Sequence, residues 1–296
     1  MSTPLVSVLM AAYNSEKYIA EAIESVLAST FTDFELIICD DRSTDRTASI
    51  AKSYLEKDNR IKLYINEVNL GDYPNRNRVA SYAKGTYLKY LDHDDVIYPW
   101  GLSIMVTCIQ SFPDAGYGLI SHGVVQQSPY PLNVNPKLAY RYFFLNNALM
   151  YMGPSGAIIT KKAFDDVGGF SGKPFVGDLE IWLKLSKKYN VVRMPTDIIW
   201  YRIHDMQESK QEKNDPHAEV RRFKVLEAAL NCSDCPLPDD ERKIALKKHK
   251  DSFIKLNFNR SLRSLHFYKF IKTLKECNIT ISDILSVFKK IEIPKY

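Results

Sequence analysis

Short apolar runs alternate with helical stripes along the first two thirds of the chain. Leu5-Val6-Ser7-Val8-Leu9-Met10 is dense enough in apolar side chains to predict a buried strand, and Ile19, Ala22, Ile23, Val26 and Leu27 then recur at the spacing of one helix face. Glu35-Leu36-Ile37-Ile38-Cys39 predicts a second strand, and Thr47, Ile50, Ala51, Tyr54 and Leu55 a second helix for which Ser43 suits the N-cap position. Ile61-Lys62-Leu63-Tyr64-Ile65 predicts a third strand, residues 74 to 84 a third helix and residues 86 to 91 a fourth strand. Alternation of this kind predicts an α/β fold with a mainly parallel sheet and helices on both faces.

Farther along, Ser128 to Pro136 is rich in Pro, Asn and Ser and predicts a loop suited to act as a mobile lid. Gly156-Ala157-Ile158-Ile159-Thr160 predicts a strand, Gly168-Gly169 a turn, and Gly177-Asp178 the start of a helix carrying Leu179, Trp182, Leu183 and Ser186. The apolar stretch Trp200-Tyr201-Arg202-Ile203 predicts another strand that ends at His204, and from about Asp215 the pattern is helical to the end. The expected division is an α/β domain over residues 1–209 and a basic helical extension over residues 210–296. No internal repeat is evident.

Ligands of open α/β sheets bind outside the carboxyl ends of the strands, and both acidic clusters fall at such ends. Asp40-Asp41 follows the second strand; Asp92-His93-Asp94-Asp95 follows the run Tyr87-Leu88-Lys89-Tyr90-Leu91 and packs three carboxylates into four residues. Such neighbours raise one another's pKa unless a cation lies between them, and hard oxygen ligands suit Mg²⁺ or Mn²⁺. If the segment stays extended, Asp92 and Asp94 share one side, roughly 6.6 Å apart, and His93 and Asp95 turn to the other. A turn there would instead hand a metal to Asp95. Asp94 is therefore the expected ligand, Asp92 the partner of ribose hydroxyls and Asp41 the acceptor for a base N–H. Arg76 follows a loop Gly and Pro in Asn69-Leu70-Gly71-Asp72-Tyr73-Pro74-Asn75-Arg76-Asn77-Arg78, and its guanidinium suits a diphosphate or a uracil-like carbonyl. Asp178 sits where the helix dipole favours an ionised carboxylate, either as a base or as a cap. The His204 imidazole suits the metal shell. Taken singly, each has a bland alternative: a turn and cap at Asp40 to Asp45, a surface arginine, a structural histidine.

The 296 residues are 45% hydrophobic and 25% charged, enough for one large core or a core with an appendage. No stretch approaches the ~18 consecutive apolar residues of a membrane span, and Met1-Ser2-Thr3-Pro4 lacks the layout of a signal peptide, so a cytoplasmic protein is expected. Five scattered cysteines argue for reduced thiols. The lone Cys232-Ser233-Asp234-Cys235 motif, with no second pair or neighbouring histidines, is expected to be structural. The net charge of +5 is C-terminal: residues 210–296 hold 19 Lys and Arg against 12 Asp and Glu, leaving 21 against 23 before them. Basic helices of this kind suit an anionic membrane surface or form a solvated face, and their apolar faces are compatible with a homodimer. No nucleic-acid partner is expected.

In combination these segments resemble the family 2 glycosyltransferases, over roughly residues 4 to 209. Val6-Ser7-Val8-Leu9-Met10-Ala11-Ala12-Tyr13-Asn14 is similar to the family's opening strand and Tyr-Asn turn. Asp40-Asp41-Arg42-Ser43-Thr44-Asp45 is similar to its Asp-Asp-Gly-Ser-Thr-Asp, with Arg42 in place of Gly. Asn69, Gly71, Arg76 and Asn77 fall at the spacing of its Asn-x-Gly-x-x-x-Ala-Arg-Asn segment, with Asn75 in place of Ala, and Asp92-His93-Asp94-Asp95 resembles its DxD region. Val167-Gly168-Gly169-Phe170 and Gly177-Asp178 match a segment that normally ends Glu-Asp, and Tyr201-Arg202-Ile203-His204 resembles its Tyr-Arg-x-His.

The resemblance implies a GT-A, Rossmann-like fold and an inverting transferase that uses Mn or Mg and a nucleoside diphosphate sugar, most often a UDP-sugar. Its acceptor would be a glycan or lipid-linked hydroxyl in polysaccharide or glycoconjugate synthesis, at times at the inner face of a membrane. It also implies Asp178 as the catalytic base, Asp94 and His204 as metal ligands, and Ala11, Tyr13, Asp41, Arg76, Asp92, Asp94 and Asp95 around the donor. Two rivals stand beside it. A haloacid-dehalogenase-like phosphatase would use Asp92 as nucleophile, but its Gly-Asp-x-x-x-Asp partner is broken by Trp182. A binding module without turnover would hold a nucleotide sugar through the same residues.

Overall fold

The computed structural model describes residues 3–121, 129–146, 149–205, 212, 215, 217–264 and 267–288. Its strands are β1 (Val6–Ala12), β2 (Phe34–Asp40), β3 (Ile61–Ile65), β4 (Tyr87–Tyr90), β5 (Val96–Ile97), β6 (Ala115–Ile120), β7 (Leu132–Val134), β8 (Ala157–Thr160), β9 (Asn190–Met194) and β10 (Ile199–Trp200). Its helices are α1 (Ile19–Leu27), α2 (Thr47–Ser53), α3 (Asp72–Ser81), α4 (Gly101–Gln110), α5 (Pro136–Tyr140), α6 (Lys161–Asp166) and α7 (Gly177–Lys188). The C-terminal part adds α8 (Ala218–Asn231), α9 (Asp239–Ser264), α10 (Phe267–Glu276) and α11 (Ile281–Phe288).

Eight strands form one sheet in the order β3-β2-β1-β4-β8-β6-β9-β7, and β5 and β10 form a separate antiparallel pair. The first four strands are parallel, as the β-α alternation predicts; β8 runs antiparallel to both β4 and β6, and β6 and β9 are parallel to each other. Every residue of β2 is buried, as is most of β1, which is why both read as unbroken apolar runs: helices cover the two faces of a parallel sheet.

Three local expectations are corrected. Ser43 does not cap α2: its Oγ–H donates to Asp40 Oδ1 at 2.5 Å, and the Thr47 N–H at the helix start goes to Asp45 Oδ1 at 2.9 Å. Asp45 reaches the first turn because it lies two residues before Thr47. Within the expected lid, Ser128 lies outside the described residues, while Leu132–Val134 pairs with the edge of β9 and Pro136 opens α5 under an Asn135 cap. Polar composition hid both, because an edge strand needs few apolar residues. The expected strand after Trp200 ends there, since Arg202 turns to bond the Asp94–Asp95 backbone and side chains instead of a neighbouring strand.

The C-terminal part contributes Val225, Leu230, Leu237 and Ala245 to the main core, and its helices build a second one around Phe223, Phe253, Ile254, Phe270 and Leu274. All five cysteines are free, and burial pushes the Cys232 and Cys235 thiols up, in keeping with a structural pair. Among the described residues no helix is long and apolar enough to cross a membrane.

Candidate active site

The carboxyl ends of β1, β2 and β4 open on one cavity of about 1290 Å³, where a parallel sheet places its ligands. Ala11 and Tyr13 line it from the end of β1, Asp41 from β2, Arg76 from α3, and Asp92, Asp94 and Asp95 from beyond β4; His204 closes the far side. Every residue expected around the donor or the metal is thus brought together. Asp178 is not in this wall. It lines an adjoining cavity of about 250 Å³ that shares Tyr73, Met152, Gly153 and Phe175 with the larger one.

Asp41 is buried and already well engaged: Leu70 N–H and Gly71 N–H donate to its carboxylate at 2.9 and 2.8 Å, and Asn66 Nδ2 at 2.7 Å. Its backbone N–H donates to Ala12 O at 2.8 Å, which ties the end of β2 to β1. Gly71 turns there at φ 86, a conformation open to glycine at no steric cost. Asn75 is buried between Cys39 O, to which it donates at 3.0 Å, and Asn66, from which it accepts at 2.9 Å. An Ala at 75 could make neither bond. Arg42 sits at φ 60, the left-handed region a Gly would enter freely, and its guanidinium donates to Glu67 O.

The acidic segment is a turn: Asp95 N–H donates to Asp92 O at 3.1 Å, which corrects the extended, alternating geometry. The turn sends the three carboxylates to three different partners. Asp92 Oδ1 accepts from Arg76 Nη1 at 2.6 Å, and Arg76 Nε donates to Asp72 Oδ1 at 2.9 Å. Burial opposes the charge on both members of that pair, yet the guanidinium holds Asp92 below the usual carboxylate range, and Asp72 with Asp92 lifts Arg76 above its own. Asp94 Oδ2 lies 2.7 Å from His204 Nε2. Asp95 accepts from Arg202 N–H at 3.2 Å, and burial together with the neighbouring Asp92 and Asp94 charges pushes its pKa up to about 7.

Asp94 and His204 present a hard oxygen and an imidazole to the large cavity, a donor pair that fits Mn²⁺ or Mg²⁺. No cluster of three or more His, Cys, Asp or Glu is arranged to hold a metal among the described residues. With two such ligands, an ion would have to finish its shell with phosphate oxygens and water, as Mg²⁺ sites commonly do.

Asp178, in the first turn of α7, is half-buried; desolvation raises its pKa, while the Leu179 N–H at 2.7 Å, Arg222 and Arg76 pull it back partway. Tyr73 Oη is 3.5 Å away. Gly177 beside it has a packing reason: a Cβ there would come within 2.7 Å of the Tyr73 ring. Trp182 Nε1 donates to Met152 O at 2.7 Å and anchors the segment that separates the two cavities. Met150 and Phe175 line the smaller cavity at φ 62 and 63, a region sparsely populated for such side chains.

Several motif residues serve the frame. Asn77 exchanges two hydrogen bonds with the Phe170 backbone, at 2.8 and 2.9 Å, and a Cβ on Gly169 would approach its Oδ1 to 2.6 Å. Sequence reasoning missed Ser155, Tyr151, Glu212 and Arg222. Ser155 Oγ accepts from Asp92 N–H at 2.9 Å, and the other three line the smaller cavity. None belongs to a periodic pattern or a quoted motif. Lys89, inside an otherwise apolar strand, was the one available signal for Ser155: it is fully buried and its ammonium donates to Ser155 O.

The sequence pattern of Glycosyl transferase family 2 matches residues 7–168, just over half of the chain. An uncharacterized glycosyltransferase of Methanocaldococcus jannaschii is 34% identical over 176 residues, 56% of this chain and 61% of that protein, so the chain spans less than two thirds of that relative. The UDP-Glc:alpha-D-GlcNAc-diphosphoundecaprenol beta-1,3-glucosyltransferase WfgD of Escherichia coli is 41% identical over 96 residues, 32% of this chain and 37% of that one. Among solved structures, S. aureus TarS 1-349 in complex with UDP-GlcNAc is similar with a TM-score of 0.70 at 20% identity, over 91% of this chain and 79% of that one. The mannosyltransferase PcManGT from Pyrobaculum calidifontis, in complex with GDP-Man and Mn²⁺, gives 0.60 at 14% identity, over 98% and 87%. At such identities the likeness establishes the fold.

Proposed function

The chain belongs to Glycosyl transferase family 2, and from that premise we propose that it transfers a sugar, with inversion, from a UDP-linked donor to a hydroxyl of a glycan or lipid-linked acceptor. Membership in this family leaves no room for the phosphatase reading. The observation that carries the proposal is the pair of adjoining cavities: the larger gathers Asp41, Asp92, Asp94 and His204, and the smaller presents Asp178, with Tyr73, Met152, Gly153 and Phe175 common to both.

The nucleoside lies against Ala11, Tyr13 and Asp41, and the diphosphate toward Asp94, Asp95 and Arg76. Mn²⁺ or Mg²⁺, held by Asp94 and His204, would supply positive charge to the leaving diphosphate. Asp178 takes the proton of the acceptor hydroxyl while that oxygen bonds to the anomeric carbon; the bond from that carbon to the diphosphate oxygen breaks, and its electron pair leaves with the nucleotide. One base suffices for such a displacement. Partial burial beside Tyr73 and Phe175 raises the basicity of the carboxylate.

The donor complexes named for TarS and PcManGT, and the glucosyltransferase name of WfgD, support this reading. The test is nucleotide release from a panel of UDP- and GDP-sugars with and without Mn²⁺. Release from none of them would defeat the proposal. We also propose that the C-terminal helices rest on an anionic membrane surface on the cytoplasmic side. On α10, exposed Phe267, Tyr268 and Ile271 stand among Lys269, Lys272 and Lys275, an interfacial pattern of apolar and cationic groups.

A further inference from the structure

The smaller cavity is not built by the sheet domain alone. Tyr73 of α3, the Met150–Gly153 segment, Phe175 and the first turn of α7 make most of its wall, and Arg222 of α8, with Glu212 before that helix, makes the rest. Arg222 Nη2 donates to Glu212 Oε1 at 2.7 Å, which ties the guanidinium to a second residue of the cavity wall while the arginine side chain stays 41% exposed. The C-terminal extension thereby places a cation in the same small space as Asp178.

We propose that Arg222 is a positioning residue that acts through Asp178, keeping this half-buried carboxylate ionised, and that the C-terminal helices are in this way part of the site. The inference rests on the reading of Asp178 as the base. A carboxylate partly enclosed by Tyr73, Tyr151, Met152 and Phe175 holds its proton more tightly than one in water, and a base must shed it before it can accept another. The groups that face it act in both directions. Arg222 and, from α3, Arg76 favour the charge; the Leu179 N–H donates to it; Glu212 opposes it. Tyr73 Oη stands at 3.5 Å, and Tyr151 completes the wall. Arg76 is already committed to Asp72 and Asp92 at 2.9 and 2.6 Å, which leaves Arg222 as the cation whose own partner, Glu212, shares the cavity with Asp178.

The experiment is a ¹³C-carboxyl titration of the aspartates in the full chain, without substrates, with the Asp178 signal identified by its loss in Asp178→Asn. Arg222→Met moves its midpoint to higher pH, Glu212→Gln moves it to lower pH, and Arg222→Lys leaves it near the wild-type position. Opposite movements from two neighbouring substitutions cannot come from loosened packing, and Glu212→Gln keeps the test open if Arg222→Met does not fold. A midpoint that stays put in both variants overturns the proposal. In turnover, the acid limb of kcat/KM follows the same directions, so Arg222→Met loses activity on the acid side and recovers as the pH rises. If the titration moves while the kinetic limb does not, the Arg222–Asp178 link stands and the assignment of Asp178 as base falls.

Discussion

His204 Nε2 and Asp94 Oδ2 lie 2.7 Å apart although 110 residues separate them in the chain. Folding draws them together through Arg202, whose backbone N–H reaches Asp95 and whose Nε donates to Asp94 O at 2.9 Å. The Tyr-Arg-x-His segment is thus a clamp on the acidic turn as well as a source of the imidazole.

Loss of either member should therefore weaken the same property. Asp94→Ala and His204→Ala are each expected to lower UDP affinity in Mn²⁺ by about ten-fold or more, with the difference vanishing in chelator. Calorimetry reads both. Asp95→Asn serves as the comparison: if it, and not Asp94→Ala, removes the metal dependence, the ligand is Asp95.

Asp178→Asn should lower kcat by roughly 100- to 10,000-fold, the usual weight of a general base, while UDP affinity stays at the wild-type level. Single-turnover kinetics with a donor–acceptor pair found by the screen would measure it. Undiminished turnover would remove Asp178 from the chemistry. A wild type that binds UDP but turns over no donor would favour the binding module.

Gly177 and Tyr73 are coupled by contact. Gly177→Ala is expected to cost about 1–3 kcal/mol, because its Cβ would overpack the ring. In a Tyr73→Ala background most of that cost should disappear, since the clash is gone and Ala favours the helix. Urea unfolding of the four proteins gives the coupling. Equal costs in both backgrounds would show that the ring is not the obstacle.

Lys89 ties stability to pH. In the unfolded chain it keeps its proton to about pH 10.5; in the fold, burial draws its pKa down to about 7, with Asp92 and Asp95 pulling it partway back. Between those values the unfolded state binds more protons, so this residue makes stability rise with pH from about 7 to about 10 and leaves it flat below 7. Lys89→Met should flatten that rise. Unfolding curves at about pH 6 and pH 9 check it, and an identical rise in both proteins would refute it.

The lysine and aromatic face of α10 predicts salt-sensitive binding to phosphatidylglycerol vesicles and little to phosphatidylcholine. A Lys269→Glu, Lys272→Glu, Lys275→Glu triple variant should lose most of the bound fraction in co-sedimentation. Equal recovery on both lipids would exclude an electrostatic membrane contact.

The elements that were legible in the chain are those with a dense local signal. β1, β2 and α1 carry unbroken or helically spaced apolar residues, and the charge density of Asp92 to Asp95 marks a segment that does line the large cavity. The turn there was not legible, because alternation along a strand and reversal in a turn are both open to Asp-His-Asp-Asp. What decides between them is the bonding of each carboxylate to Arg76, His204 and Arg202, all far away in sequence. Asn75 and Gly177 read as departures from a family pattern; each proves to fit a neighbour supplied by another segment, Cys39 O with Asn66 and the Tyr73 ring.

The sequence by itself determined the parallel-sheet class, the ends of strands at which the large cavity opens and the residue types that line it. Those follow from periodicity and from the rule that ligands sit beyond the carboxyl ends of such strands. Tertiary structure alone decided that Asp178 lies in a second, adjoining cavity, that Arg222 and Glu212 from the C-terminal part help to wall it, and that Asp94 rather than Asp95 faces His204. The physical reason is that burial and charge pairing act across space, between groups whose separation along the chain carries no information about their distance.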